Sequence, residues 1–251
     1  MFLLVLKDYE ILSFDLFFTL VYLDETKYHP EKTRYTIWQL LENYSIKLPL
    51  EIFEKSFLAK RSKRYLPPYQ DKTYYQIILE IFLEQGIKGN SELLHQVAQE
   101  MSSQYYDSVL TTCYLHPTAK QLLAKLHEKN FTLVLTSDMA NVSFGQMILK
   151  KFQIDNYFDR ITFSGEVGFR KPSHKIFEKT IEGIRLSHRK KMVHIGDTFE
   201  TDIQGIINFG GEAIWVTNST TGKNSLNPSS KKPPALKAII PDISHLSRIL
   251  Y

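Results

Sequence analysis

The hydrophobic rhythm of this 251-residue chain changes near Tyr22 and again near Leu110, and those two changes bound the fold. From about Leu110 onward, short apolar runs alternate with helical patterns. A helix after His116-Pro117 carries Leu122, Leu123 and Leu126 on one face and ends near Asn130. It is followed by a strand at Leu133–Thr136, a helix through Phe144, Ile148 and Phe152, and a strand at Ile161–Phe163. Pro172 opens a further helix with Ile176, Phe177, Thr180 and Ile184. Strands at Met192–Ile195 and Ala213–Val216 flank a helix holding Ile203, Ile206 and Ile207, stopped by Gly210-Gly211. This alternation implies a parallel sheet with helices on both faces. A loop rich in Ser, Thr, Asn, Lys and Pro is expected from Asn218 to Pro234, then a last strand near Ile239-Ile240 and a helix to Leu250.

Between Tyr22 and Leu110 the pattern is helical throughout. The first helix has Ile37, Leu40, Leu41 and Tyr44 at helical spacing, and the second follows Pro49 with Phe53 and Phe57. The third carries Tyr74, Ile78, Ile81 and Phe82, and the fourth Leu94, Val97 and Met101. The expected organisation is an α/β core formed by residues 1–21 and 111–251, with an all-α insert over 22–110. No internal repeat is apparent.

The first apolar run, Ile11-Leu-Ser-Phe14, delivers Asp15 at its carboxyl end and continues through Phe17 and Phe18 to Thr19. In α/β sheets, groups at the carboxyl ends of strands face the ligand crevice. Three later segments end similarly: Leu133-Val-Leu-Thr136-Ser137-Asp138, Gly168-Phe-Arg170-Lys171-Pro172, and Val193-His194-Ile-Gly196-Asp197-Thr198 with Asp202. As an ordered set covering nearly the whole chain, they resemble the four motifs of the haloacid dehalogenase superfamily of hydrolases.

The resemblance implies a Rossmann-like fold, α/β with a parallel sheet, and makes the helical insert a substrate-selecting cap domain of the helical-bundle type. It implies a phosphatase in which Asp15 is the nucleophile. Mg²⁺ would be held by Asp15, the Phe17 carbonyl and Asp197, with Asp202 mainly behind them. Lys171 matches the lysine that neutralises nucleophile and phosphate. Ser137, with Thr136 as rival, matches the hydroxyl that binds a phosphoryl oxygen, and Asp138 in the following position and Thr19, which matches the supporting threonine of the first motif, are expected with Lys171 on the substrate-binding side. Chemically this suits a dianionic ester, which repels a carboxylate unless positive charge is gathered at the site. His194, inside an apolar strand, reads as a core histidine. The insert's tyrosines at 65, 69, 74, 75, 105 and 106 read as packing rather than a substrate platform.

Phe17 departs from the family pattern, which places there an aspartate that protonates the leaving alkoxide and helps activate water. General acid–base help contributes roughly 10²–10⁴-fold, about 3–5 kcal/mol of barrier. Phe18 also replaces the usual glycine of that turn. Three readings stay open: a phosphatase for good leaving groups or with an acid from elsewhere; a 2-haloacid dehalogenase-type hydrolase, which needs no metal; and a binding protein retaining the fold. Gly196-Asp197 argues against the dehalogenase, because a second carboxylate would repel an anionic haloacid. Its halide-binding arginine is not placed, although Arg34, Arg61 and Arg64 are available in the insert.

The 43% apolar content suffices for a substantial core, and a formal charge of +4 is mild, so no nucleic-acid partner is expected. A single cysteine, Cys113, excludes an internal disulfide and any cysteine-based metal cluster and suits a reducing, cytoplasmic setting. Met1-Phe-Leu-Leu-Val-Leu6 is broken by Lys7 and Asp8 and does not read as a signal sequence, and no apolar stretch is long enough for a bilayer. The expected partner is a small phosphorylated substrate, with no membrane. Neither its identity nor the oligomeric state is legible in one sequence.

Overall fold

The computed structural model describes residues 6–185, 187–217 and 232–248. Its main sheet contains β1 (Ile11–Phe14), β4 (Thr132–Ser137), β5 (Arg160–Phe163), β6 (Met192–Gly196), β7 (Glu212–Val216) and β8 (Leu236–Ile240). The two remaining strands, β2 (Val21–Leu23) and β3 (Cys113–Leu115), pair with each other. The main sheet runs β5-β4-β1-β6-β7-β8, with every neighbouring pair parallel. The first strand of the chain therefore lies inside the sheet. Later strands add on one side as β4 and β5 and on the other as β6, β7 and β8. The order thus reverses beside β1, and the crevice for a ligand lies at the carboxyl ends of β1 and β6.

The chain divides into two compact units, Met1–Tyr22 with Leu115–Tyr251, and Leu23–Tyr114. The second unit holds α1 (Pro30–Asn43), α2 (Leu50–Lys63), α3 (Tyr74–Glu84) and α4 (Ser91–Thr112). Their apolar faces bury Ile37, Leu41, Phe53, Phe57, Ile81, Phe82, Val97 and Met101. A reciprocal capping box between Thr73 and Gln76 starts α3, and the Asn90 side chain caps α4.

In the first unit, α5 (Ala119–Glu128) buries Leu122, Leu123 and Leu126, and α6 (Val142–Phe152) buries Phe144 and Ile148 and leaves Phe152 half-buried. Next come a short α7 (Ser164–Val167), α8 (His174–Ile181) and α9 (Gln204–Phe209). Ile176 and Phe177 of α8, and Ile206 and Phe209 of α9, close a core with Ile11, Val134, Met192, Ala213 and Trp215 of the sheet. Each such side chain, once buried, contributes about 1.5–3 kcal/mol.

The structure differs locally from the sequence expectation. β2 and β3 are three residues each, too short to show alternation. Pro172 lies before α8 rather than in its first turn, because residues 170–173 form a turn closed by the Ser173 N–H on the Arg170 carbonyl. That helix stops at Ile181 ahead of Gly183, whose φ of +74° breaks it, so Ile184 lies beyond. The helix after β6 begins as a π-helical turn, Phe199–Ile203. Most of the expected loop from Asn218 to Pro234, residues 1–5 and the end at Leu250 lie outside the described residues. A 3-10 turn, Ile243–Arg248, stands where the last helix was expected to begin. Among the described residues, no helix is long and apolar enough to cross a membrane.

Candidate active site at the carboxyl edge of the sheet

Phe14 of β1 pairs with Ile195 of β6, and the Asp15 N–H donates to the Ile195 carbonyl at 2.9 Å. This register brings Asp15 and Asp197 out at adjacent strand ends. Asp202 joins them from the π-helical turn, and carboxylate oxygens of all three lie within 4.8 Å of one another. Gly196 makes that approach possible, since a Cβ there would sit 2.5 Å from Asp202 Cγ. Its contribution is room for the acid.

One cation threads the cluster. Lys171 Nζ donates to Asp15 Oδ1 at 2.6 Å and to the Thr136 carbonyl at 3.0 Å, and lies 2.5 Å from Asp202 Oδ1. Burial opposes its charge, but Asp15, Asp202 and Asp138 outweigh burial and hold it ionised, above the usual lysine range. Asp202 is likewise opposed by burial, yet Lys171 and His194 keep it ionised, below the usual carboxylate range. Asp15 goes the other way. Burial pushes it up to about 7, with Lys171 opposing and Asp202 adding. Asp197 rises well above the ordinary value through burial, then Asp202 and Asp15. With all three carboxyl groups ionised against one ammonium the cluster would carry two negative charges, which a divalent cation would balance and so favour, and an all-oxygen donor set suits a hard one. The residues present fit such an ion.

Around this centre the loops are tied down by side chains. Asp138 accepts from the Lys171 N–H at 2.8 Å and from Arg170 Nη2 at 3.0 Å, so both of its oxygens anchor the loop that delivers the lysine. The Thr198 N–H donates to Asp202 Oδ2 at 2.8 Å, and Trp215 Nε1 donates to the Asp197 carbonyl at 2.7 Å. His194 is fully buried with Nε2 3.2 Å from Asp202 Oδ1 and Nδ1 2.8 Å from Ser13 Oγ. Burial lowers its pKa; a neutral ring therefore donates to Asp202 and accepts from Ser13. Ser13 in turn meets Thr136 Oγ1 at 2.9 Å, which lies 3.1 Å from Thr180 Oγ1. The Thr136 hydroxyl is thus engaged inside the sheet, and Ser137, the last residue of β4, is the neighbouring hydroxyl without that commitment.

Sequence reading brought together Asp15, Lys171, Asp197 and Asp202. It missed Trp215 and the Ser13–His194 pair, which hold their backbones and carboxylates. A polar alternation inside an otherwise apolar strand, Ser13 in β1 and His194 in β6, was the available signal.

The turn after Asp15 keeps a left-handed residue without a glycine, with Phe18 at φ +57°. The Phe18 N–H closes the turn on the Val21 carbonyl at 2.7 Å, and its ring packs edge-on to Tyr22 at 6.3 Å. A left-handed non-glycine residue costs about 1–2 kcal/mol. Phe18→Ala and Phe18→Gly both lose the ring, but only alanine keeps the strain. The glycine variant is expected to be more stable than the alanine variant by about 1 kcal/mol in urea denaturation. Equal stabilities would mean that the turn relaxes out of the left-handed region.

Residues 18–210 match the family model described as haloacid dehalogenase-like hydrolase. The match takes in Ser137, Lys171, Asp197 and Asp202 and begins just after Asp15 and Phe17. Over 126 residues the chain is 28% identical to the pyrimidine 5'-nucleotidase YjjG of Escherichia coli (strain K12), covering 50% of this chain and 55% of that protein. Over 99 residues it is 29% identical to a glyceraldehyde 3-phosphate phosphatase of Pyrococcus abyssi (strain GE5 / Orsay), covering 39% and 41%. The chain thus spans about half the length of these relatives. Among solved structures, a 2-haloacid dehalogenase from Pseudomonas syringae pv. Tomato DC3000 superposes with a TM-score of 0.71 at 20% identity, covering 96% of this chain and 98% of that one. With the parallel sheet, the acids at its carboxyl edge and a match over most of its length, the chain belongs to the haloacid dehalogenase-like hydrolases.

Proposed function

We propose that the chain is a Mg²⁺-dependent phosphatase working through an aspartyl-phosphate on Asp15. The observation that carries this reading is the buried Lys171 ammonium 2.6 Å from Asp15 inside a three-carboxylate cluster at the switch point of the sheet. Asp15 Oδ attacks phosphorus, the bond from phosphorus to the leaving oxygen breaks, and that oxygen departs with its electron pair. Water then attacks the acyl-phosphate, releasing inorganic phosphate and restoring the carboxylate. Lys171 favours the ionised form of Asp15, against its burial, and would balance charge on the transferring group. Asp15, Asp197 and the Phe17 carbonyl would hold Mg²⁺, with Asp202 behind them, and the ion would neutralise phosphoryl charge.

Ser137 is assigned to a phosphoryl oxygen because the Thr136 hydroxyl is spent on Ser13 and Thr180. Thr19 Oγ1 is buried without a hydrogen-bond partner among the described residues, which supports a supporting role toward substrate. Asp138 acts on substrate indirectly, through the Lys171 loop. The dehalogenase reading is disfavoured by Asp197 and Asp202, whose charge would repel an anionic haloacid. Cys113, the one cysteine of the sequence, is buried with its thiol donating to the Val109 carbonyl, which supports a reducing cytoplasmic setting, and the substrate is a small phosphorylated molecule, without nucleic acid or membrane.

One observation favours a second reading, a weakly active or non-catalytic binding protein: a half-buried phenyl ring, Phe17, stands where a general acid is needed. Hydrolysis of 4-nitrophenyl phosphate separates the two, because nitrophenolate leaves without a proton. Turnover that disappears with chelator and returns with Mg²⁺ supports the phosphatase, and none under either condition supports the binding role. In an active enzyme, Phe17→Asp is expected to raise kcat/KM on alkyl phosphates by roughly 10²-fold while changing the nitrophenyl ester little. An equal change on both ester types would mean that the aspartate acts on charge rather than on the leaving group.

A further inference from the structure

A file of buried polar side chains crosses the middle of the main sheet, where apolar packing alone would hold the strands. Its members are Thr180 of α8, Thr136 of β4, Ser13 of β1 and His194 of β6, all fully buried. The Thr180 hydroxyl donates to the Ile176 carbonyl at 2.8 Å and meets Thr136 Oγ1 at 3.1 Å. Thr136 Oγ1 meets Ser13 Oγ at 2.9 Å, and Ser13 Oγ meets His194 Nδ1 at 2.8 Å. The register sets Ser13 opposite His194, and the Phe177 ring packs edge-on to the imidazole at 5.5 Å. β1 and α8 together thus fix the plane of the ring. Such a file costs stability unless every member is satisfied. This one ends on Asp202.

The Lys171 ammonium has three N–H groups. Three oxygens surround it: Asp15 Oδ1 at 2.6 Å, Asp202 Oδ1 at 2.5 Å and the Thr136 carbonyl at 3.0 Å. The carbonyl belongs to a strand inside the sheet and cannot turn away. A carboxylate can, by rotating about its own side chain. Two donors restrain Asp202: the Thr198 N–H on Oδ2 at 2.8 Å, and His194 Nε2 at 3.2 Å from Oδ1, the oxygen that faces Lys171. A carboxylate oxygen has two lone-pair sites, so lysine and imidazole together fill those of Oδ1. A divalent ion beside Asp15 and Asp197 would otherwise compete for that oxygen. Thr136 closes the circuit, with its carbonyl on the ammonium and its hydroxyl in the file that orients the ring.

We propose that His194 is a positioning residue for phosphoryl transfer: by occupying Asp202 Oδ1 it reserves that oxygen for Lys171 and keeps the divalent ion off it. The ammonium then stays seated against Asp15, and Ser13 and Thr136 set the direction of the ring. The effect on turnover rests on the phosphatase reading, whereas the seating of Lys171 is measurable without turnover.

The test combines NMR of the Lys171 ammonium, Mg²⁺ titration calorimetry and 4-nitrophenyl phosphate kinetics on intact wild type, His194→Phe, His194→Gln and Ser13→Ala. Phenylalanine keeps a ring but offers no donor, whereas the glutamine amide can still donate to Asp202. In His194→Phe the Lys171 signal is expected to move and kcat to fall about ten-fold with KM nearly unchanged. Mg²⁺ should bind that variant as tightly as wild type or more tightly. His194→Gln should recover kcat to within about three-fold of wild type. Ser13→Ala leaves the imidazole in place, should change in the same direction but less, and carries the test alone should His194→Phe misfold. Mg²⁺ affinity lost in step with kcat would overturn the proposal, because His194 would then be building the metal site. A Lys171 signal unchanged across the variants would overturn it too. Absence of turnover in wild type removes the phosphatase reading, and the Lys171 signal and Mg²⁺ affinity then decide the proposal by themselves.

Discussion

Asp15→Asn is expected to lower kcat on 4-nitrophenyl phosphate by ~10⁴-fold or more, with the fold intact. The amide is isosteric, and the backbone hydrogen bond from Asp15 to Ile195 does not involve the side chain. In the proposed mechanism, what disappears is the oxygen that would bond to phosphorus, and no neighbour can take over its task. Asp202 has one oxygen against Lys171 and the other on the Thr198 N–H, and Asp197 is raised well above the carboxylate range by burial and by its acidic neighbours. The same substitution removes a carboxylate that burial pushes up to about 7. It therefore relieves repulsion inside the cluster, and the melting temperature in chelator should stay level or rise. Loss of turnover together with unchanged or higher stability is the signature of a residue kept for chemistry. Turnover surviving in Asp15→Asn at wild-type level would sink the covalent mechanism and redirect attention to a directly activated water.

Much of this site was legible because its residues stand at the ends of apolar runs, and strand ends are where a parallel sheet exposes function. Asp15 after Phe14, and Asp197 after Gly196, needed only the placement of β1 beside β6 to become neighbours. The helical insert was equally readable from the spacing of Ile37 and Leu41 or Ile78 and Phe82, since amphipathic helices declare their buried faces. Less legible was whatever depends on atoms meeting across long sequence separations. Asp138 looked like a substrate ligand, yet its oxygens are taken by Arg170 and the Lys171 N–H, a pairing over 33 residues that no periodicity reveals. His194 was legible as a core histidine but not as the group steadying Asp202. The ribbon of β2 and β3 was invisible because three residues cannot show a period. Phe18 was legible as an anomaly, and the structure gives its consequence: the left-handed turn persists and a phenylalanine bears its cost.

Lys171→Met is expected to reduce both stability and activity, and the two losses should respond differently to Mg²⁺. The side chain is 2% exposed, so the substitution removes a buried charge while roughly keeping volume. Two acids that the ammonium touches, at 2.6 and 2.5 Å, are left facing each other with Asp197 beside them. Breaking a buried ion pair from one side typically costs about 3–5 kcal/mol, mostly as the penalty of uncompensated charge. Denaturation in chelator should show a loss of that size. The proposed divalent ion would enter the same cluster and, without the ammonium, meet more negative charge, so it should bind the variant more tightly and stabilise it by RT ln(1 + [Mg²⁺]/Kd). The stability gap between variant and wild type is therefore expected to narrow as Mg²⁺ rises. The activity gap should not close with it. Lys171 lies against an Asp15 oxygen, and losing one preorganised charge there is expected to cost about 10²–10³-fold in kcat. Lys171→Arg is not expected to rescue either quantity, because a planar guanidinium cannot fit the space of a compact ammonium set between two carboxylates and the Thr136 carbonyl. A stability gap that ignores Mg²⁺ would mean that the ion does not enter the Asp15–Asp197–Asp202 cluster, and the metal assignment would fail with it.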